Sequence, residues 1–458
     1  MSPLIEQIVD KVIDARLPSG WRSDEKFLKK ISRQFQSKNW STYNLDHFPD
    51  YYAAYYLPNN LYKIQLMFLD LFRFGKISFS EKSLRILDIG SAIGTTAWAV
   101  HDLFEILFHV LELYGLEAGS LPKVQVESIE KSEANIEFFE QMLGEMSGVQ
   151  SRITVLPPIQ GDVLNGALEA IELGKYDVIV ASNIINEFPS DTARIDFAKI
   201  ITEGMNKKAA FVLLETAYMK DTVSLKRIQD LLTKDANVSV LSPCGKIGLR
   251  SDRCSSCYSF RRESLKIPKT MELFHRGIDT DDDNEKLKWS YSIFVKGTVE
   301  TYTPETSFRL GQIDDSMLGD TITLDAEIVS GKMYDNRYPN SYFLKLCDQS
   351  EVAEHSILQI PKYYEVPKHH YGDIFSISNV TIEKIGWNKP GTVKYALKVD
   401  VVLTKISNHS ELAEKRALVP FKDVNEATLE YFLNRFFGFR KFNDGQFDPR
   451  KQDVVDPE

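Results

Sequence analysis

The segment Leu84-Arg85-Ile86-Leu87-Asp88-Ile89-Gly90 constrains this chain more than any other. It is an apolar run of strand length that breaks on a glycine, and a second glycine, Gly94, opens the helical stretch that follows. Near-continuous apolar runs of this kind belong to strands buried on both faces, as in a parallel sheet covered by helices. Gly90 removes the Cβ that would block a ligand from the carboxyl end of the strand, and Gly94 lets the next helix pack close. The pattern then repeats. Strands are expected at 84–89, 124–129, 153–156, 176–181, 209–215 and 290–296, with helices at 94–113, 132–146, 190–205 and 222–234. That alternation predicts an α/β fold with a parallel sheet.

The flanks have a different texture. Leu4, Ile5, Ile8, Val9, Val12 and Ile13 recur at helical spacing, as do Leu61, Ile64, Leu66, Met67, Leu69 and Leu71. Residues 1–80 therefore read as a helical region, and the aromatic run Tyr51–Pro58 is expected to pack against the sheet. After Gly297, short strands are expected at Thr321–Val329, Ser341–Leu346, Ser356–Ile360, Ile374–Ile385 and Val393–Leu403. Five alternating strands suggest a small OB-like barrel, often a nucleic-acid platform, or equally a structural sandwich. The expected organisation is a helical region over 1–80 and an α/β domain over 81–300 carrying a cysteine-rich insertion at 242–270. An OB-like β domain at 301–410 and a helical tail at 411–458, with a helix at 423–440, complete it.

The ends of the later strands carry polar residues where ligands collect. Glu130 closes the second strand and can accept ribose hydroxyls, Asp162 follows the third and can meet an adenine amino group, and Asn183 ends the fourth. With Asp88, Gly90, Ser91 and Gly94 these form a candidate site for a nucleotide-like cofactor. Downstream lie all four cysteines: Cys244, Cys254, Cys257 and Cys347. Four thiols match a tetrahedral zinc site or a [4Fe–4S] cluster, and Cys254-x-x-Cys257 is a half-site from one turn. Cys347 ends an apolar strand and reads equally as a core thiol. So few cysteines in 458 residues supply no disulfide framework, which points to a reducing cytosol. No apolar run is long enough to span a membrane, and residues 1–7 lack a signal or transit design. The net charge of −10 disfavours indiscriminate coating of nucleic acid. A local basic face is still available from Arg250, Arg253, Arg261, Arg262, Lys266 and Lys269, or those charges are a solvated loop.

The strand order and its acidic residues resemble class I S-adenosylmethionine-dependent methyltransferases over about residues 84–296. Asp88–Ala99 and Ala181–Pro189 are similar to motifs of the Rsm22 family, the methyltransferase-like proteins of the mitochondrial and bacterial small ribosomal subunit. Asn284-Glu285-Lys286 with Trp289 and Tyr291, Pro243-Cys244, and Cys257–Arg262 resemble its later segments. The family usually carries a glycine and a proline where this chain has Ala92 and Ile93, which bears on cofactor affinity. The resemblance implies a Rossmann-like methyltransferase domain, S-adenosylmethionine as cofactor and [4Fe–4S] in preference to zinc. It also implies small-subunit ribosomal RNA, or a ribosomal precursor, as partner in a cytoplasmic protein (mitochondrial if the source is eukaryotic).

Methyl transfer asks mainly for alignment and sometimes a proton acceptor, and Asn183, Asn186 and Glu187 sit where an acceptor would enter. Asn186 and Glu187 equally close off the turn before the next helix. The chain has no Asn-Pro-Pro-Tyr motif for exocyclic amino groups of bases. Leu429–Gln446 is similar to the leading adenine-reading segment of RecQ-type helicases, although the motor motifs that follow there are absent. A methyltransferase–helicase fusion acting on DNA or structured RNA is one consequence. Two classes stand open: an enzyme methylating nucleic acid, and a cofactor- and cluster-binding assembly or recognition factor without turnover.

Overall fold

The computed structural model describes residues 1–24, 26–27, 47–78, 81–113, 121–234, 237–244, 257, 259–264, 286–299, 308–348, 350, 357–364, 372, 374–385, 395–399 and 403–407. Helix α1 (Pro3–Arg16) is capped by Ser2, whose hydroxyl accepts the Ile5 N–H, and it turns Ile5, Ile8, Val9, Val12 and Ile13 inward. Helix α2 (Phe48–Tyr51) runs through a π-helical turn, Tyr52–Tyr56, into α3 (Leu57–Arg73). Such a turn inserts a residue into the helical ladder and re-aims the side chains around it.

The sheet strands are β1 (Ser83–Ile89), β2 (Lys123–Glu130), β3 (Ile153–Val155), β4 (Ile159–Gln160) and β5 (Val178–Ser182). They continue as β6 (Ala210–Thr216), β7 (Val238–Ser242), β8 (Arg261–Ser264) and β9 (Lys286–Lys296). Helices α4 (Thr95–Leu113), α5 (Glu133–Met146), α6 (Asp191–Gly204) and α7 (Met219–Leu232) connect them. Among the described residues these strands follow the path β3-β2-β1-β5-β6-β9-β7, with β4 beside β2 and β8 beside β9. The run from β3 to β6 is parallel, and β9 inserts antiparallel between β6 and β7. The sheet is Rossmann-like. Its strand order reverses at β1, which has β2 on one side and β5 on the other, and open α/β sheets bind ligands in the crevice at such a switch point. Leu87, Ile89, Ile179 and Leu213 face one apolar layer, and Ile86, Val126, Val180 and Val212 face another shared with α1, α3 and α4.

The second sheet comprises β10 (Thr321–Ile328), β11 (Ser341–Cys347), β12 (Ile357–Pro361), β13 (Ile374–Lys384), β14 (Tyr395–Val399) and β15 (Leu403–Ser407). Pairing runs β10-β11-β12-β14-β13, and β13 pairs back with β10, closing a five-stranded barrel in which β15 follows β14 along the same edge of β13. Closure removes exposed strand edges. Leu324, Leu344, Leu358, Ile377 and Leu397 fill the interior. The strand expected over Val393–Leu403 coincides with β14 and the start of β15, and residues 393, 394 and 400–402 lie outside the described residues.

The barrel docks on the Rossmann-like sheet through the cysteine-rich segment. The Cys244 N–H donates to Glu327 Oε1 at 2.7 Å, the Gly331 N–H to Phe260 O at 3.0 Å, and Arg262 Nη1 to Lys332 O at 2.8 Å. A Cβ on Gly331 would lie 2.3 Å from the Arg262 Cβ, so only glycine admits this approach. No described helix is long and apolar enough to cross a membrane. The expected helix at 423–440, the segment Leu429–Gln446, and Cys254, Arg250, Arg253, Lys266 and Lys269 lie outside the described residues.

Candidate functional site

The switch point gathers the residues expected at the cofactor site. Gly90 ends β1 with φ +69° and Gly94 precedes α4 with φ +87°, both in the left-handed region that favours glycine. A Cβ on Gly90 would meet Ile184 Cδ1 at 2.7 Å, so the turn after β1 lies directly against the loop after β5. Between the glycines, Ala92 holds φ +50°, a left-handed position that glycine adopts without penalty. That is the physical cost of the Ala92 departure noted above.

Carboxylates lock this turn. Asp88 accepts Thr96 Oγ1 at 2.7 Å and the Thr96 N–H at 3.3 Å, and its burial raises its pKa to about 7 against the effect of those bonds. Glu130 Oε2 accepts the Ala92 N–H at 2.7 Å, and Oε1 accepts the Ser132 N–H at 2.9 Å. Burial raises the Glu130 pKa, while the two backbone N–H groups oppose it. Oε1 also accepts Asn135 Nδ2 at 3.4 Å, which leaves the spare acceptor capacity on Oε2, so Glu130 both supports the turn and can take a hydroxyl. Asp162 follows β4 and caps a short turn of its own, accepting the Leu164 N–H at 2.9 Å and Asn165 Nδ2 at 2.8 Å. It stands next to Glu130 through the Gly161 N–H, which donates to Glu130 O at 2.9 Å. Ser91 Oγ is buried without a hydrogen-bond partner, a donor left over at the turn.

On the other side of β1, Asn183 leaves β5 with φ +55° and its Oδ1 is buried without a partner. Arg194 holds the loop from beneath, donating through Nε to Ile185 O at 2.7 Å and through Nη2 to Phe188 O at 3.3 Å. Glu187 reaches back across the switch point and pairs with Lys131 at 2.6 Å. It thereby bridges the loops after β2 and β5, and Asn186 is half-buried beside it.

Several residues at this site were not anticipated. Tyr52, in the π-helical turn, hydrogen-bonds Thr95 at 3.3 Å and receives Asn60 Nδ2 at 3.1 Å, within electrostatic range of Asp88 and Glu130. The aromatic run Tyr51–Pro58 was visible in sequence, but not which ring would reach the turn. Glu215, near the end of β6, is fully buried; Oε1 accepts the Ile185 N–H at 2.9 Å and Oε2 has no partner. Burial raises its pKa to about 8, and burial lowers that of Lys63, its neighbour in the field, to about 8. A carboxylate ending the apolar run Phe211–Leu214 was the available signal for Glu215. Lys63 sits in an amphipathic helix, where a lone lysine predicts solvent.

Three of the four cysteines are described, and they come from three separate segments. Cys244 follows β7 with φ +71°, Cys257 precedes β8, and Cys347 ends β11, where it pairs in register with Glu327. Glu327 accepts the Cys244 N–H and is the register partner of Cys347, which brings the two cysteine-bearing segments to one residue. Lys226 Nζ approaches Cys244 Sγ at 3.9 Å. Burial pushes the Cys244 thiol well up, Lys226 opposes it, and the neighbouring thiols add to it. Among the described residues, no group of three or more potential ligands is assembled at metal-binding spacing. Arg261 corrects the expected basic face. It is buried, pairing with Asp70 of α3 at 2.8 Å, and it contributes no surface charge.

No family model matches the chain, and no curated protein does. Solved structures similar to it include the plantazolicin methyltransferase BamL with a desmethyl-plantazolicin analogue and SAH, at 11% identity and TM-score 0.32, covering 64% of this chain and 100% of that one. A class I S-adenosylmethionine-dependent methyltransferase of Listeria monocytogenes, assigned as putative, matches at 13% and TM-score 0.34, covering 67% and 92%. The Bacillus subtilis M1A22 tRNA methyltransferase TrmK matches at 12% and TM-score 0.26, covering 53% and 67%. Likeness at this level carries no argument about this chain, whose fold is defined by its own strand order.

Proposed function

We propose that this chain is an S-adenosylmethionine-dependent methyltransferase acting on nucleic acid, with small-subunit ribosomal RNA as its substrate. The observation that carries the reading is the left-handed Gly90 turn at the switch point, flanked by buried Glu130 and by the unpartnered Asn183 Oδ1. Gly90, Ser91 and Glu130 would hold the cofactor, which supplies an electrophilic methyl group when bound. Asn183 stands on the acceptor side, one strand from the turn. A second reading, a cofactor-binding assembly factor without turnover, is favoured by the Glu187–Lys131 pair, which ties up one of the carboxylates expected to take a proton.

The test is calorimetry with S-adenosylmethionine, followed by transfer of labelled methyl to small-subunit RNA. Glu130→Gln should weaken binding by about 1.5–3 kcal/mol, roughly tenfold to a hundredfold in Kd. Unchanged affinity in a variant with unchanged melting would remove Glu130 from the site. Tight binding without labelled product on any RNA would select the second reading.

We infer in addition that Cys244, Cys254, Cys257 and Cys347 hold one structural [4Fe–4S] cluster, zinc being the alternative. Support comes from Glu327, which accepts the Cys244 N–H and pairs in register with Cys347, and from the Lys226 ammonium 3.9 Å from the Cys244 sulfur. Single Cys→Ser variants, purified without oxygen, should lose iron and sulfide together and melt lower, since metal-binding energy appears as folding energy. Stoichiometric zinc without sulfide would replace the cluster by a zinc site. Full metal content in Cys347→Ser would return that residue to the core.

A further inference from the structure

The β10–β11 connection and the turn after β12, whose Lys362 reaches Tyr334, carry interleaved cations and aromatic rings in a chain whose net charge is −10. Tyr334, in the β10–β11 connection, is 54% exposed, and Tyr363, just after β12, is 88% exposed. Large rings held this far out of the core contribute little to folding and present flat apolar faces to solvent. Tyr334 is gripped from two directions: the Arg262 guanidinium lies 5.6 Å from its ring centre and Lys362 Nζ 5.8 Å. Lys332 Nζ lies 4.3 Å from the ring centre of Tyr342, whose ring packs 6.5 Å from that of Tyr334. The carboxylate of this loop, Asp335, is engaged by Arg337 at 2.6 Å.

The arrangement crosses the domain junction. Arg262 belongs to β8 of the Rossmann-like sheet, and it reaches Tyr334 because Gly331 lets the two backbones approach and Lys332 O accepts its Nη1. The strip therefore continues from the barrel onto the sheet that carries the cofactor turn.

We propose that Arg262, Lys332, Tyr334, Lys362 and Tyr363 form a binding surface for single-stranded nucleic acid, an inference that rests on the nucleic-acid reading of the substrate. Successive bases stack on exposed rings while cations follow the phosphates, and the rings read no sequence because every base has a flat face. A duplex hides its base faces and offers the strip only phosphates.

The experiment measures anisotropy of a labelled RNA strand about 12 nucleotides long, a length matched to one barrel of this size. The same strand as a duplex, and phosphatidylserine vesicles, serve as competing probes. Tyr334→Ala/Tyr363→Ala should weaken the single strand roughly tenfold or more with little change in salt dependence. Lys332→Gln/Lys362→Gln should lower the slope of log K against log salt by roughly 1.4, two phosphates at about 0.7 each. Melting of every variant is followed alongside; Tyr334, Lys362 and Tyr363 are exposed and Lys332 is half-buried, so melting should change little. A wild type that binds the strand while all variants match it overturns the strip and leaves the nucleic-acid reading standing. A wild type that binds no RNA strand overturns both. Equal affinity for duplex, or lysine-dependent binding to vesicles alone, overturns the stacking surface.

Discussion

Replacing Arg261 with Met will cost about 3–5 kcal/mol of folding stability, the scale for stripping one partner from a buried ion pair. The side chains of Arg261 and Asp70 are 5% and 6% exposed, and Nη1 meets Oδ2 at 2.8 Å. Arg261 Nε also donates to Glu263 at 2.9 Å, its guanidinium lies 5.5 Å from the Trp289 ring centre, and the Tyr291 hydroxyl reaches Asp70 at 3.5 Å. Asp70 sits on α3 and Arg261 on β8, so the pair fastens the helical region to the far edge of the sheet. In the single variant Asp70 keeps a buried charge that has lost its cation. The double variant Arg261→Met/Asp70→Leu should recover much of the loss, since matched apolar replacement of a buried pair is often neutral. Urea unfolding of both variants checks this. A single variant within about 1 kcal/mol of wild type would show that solvent reaches Asp70.

Gly94→Ala will damage the fold and the cofactor turn together. At φ +87° an alanine is strained, by about 1–3 kcal/mol for a residue held in a sparsely populated region. Its Cβ would also stand 2.6 Å from two ring atoms of Phe139, a fully buried side chain packed edge-on against Trp98 with ring centres 5.4 Å apart. Overpacking of that kind adds about 1–3 kcal/mol. Adding Phe139→Leu should relieve the second contribution and leave the first, so rescue is partial. Gly90→Ala offers the contrast: its neighbour is the far end of Ile184, which can move. That variant should melt closer to wild type yet bind S-adenosylmethionine poorly, because the added methyl projects at the switch point. Melting and calorimetry on the two variants separate these effects. Equal melting losses in both would show that Phe139 yields freely.

The order of elements in the Rossmann-like sheet was legible in sequence because it depends on local periodicity. The runs at 84–89 and 209–215 are mostly apolar, and the helices at 94–113 and 132–146 show one apolar face each. The observed elements, Ser83–Ile89, Ala210–Thr216, Thr95–Leu113 and Glu133–Met146, differ by a residue or so at their ends. The glycine turn was legible for the same reason: Gly90 and Gly94 mark backbone conformations, which sequence records directly. Strand β7, Val238–Ser242, escaped because Val-Ser-Val-Leu-Ser is short and alternates weakly, and only pairing with β9 makes it a strand. The antiparallel insertion of β9 between β6 and β7 likewise depends on contacts between distant segments, which no periodicity encodes. Charged residues were misread for a related reason. Arg261 looks like its neighbour Arg262 in sequence, yet one is sealed against Asp70 and the other lies over Tyr334. Lys63 and Glu215 come from segments far apart in the chain, and only the fold brings them into one buried field. Whether a charge is solvated or sealed is decided by what the rest of the chain places over it, and that is a property of the tertiary structure alone.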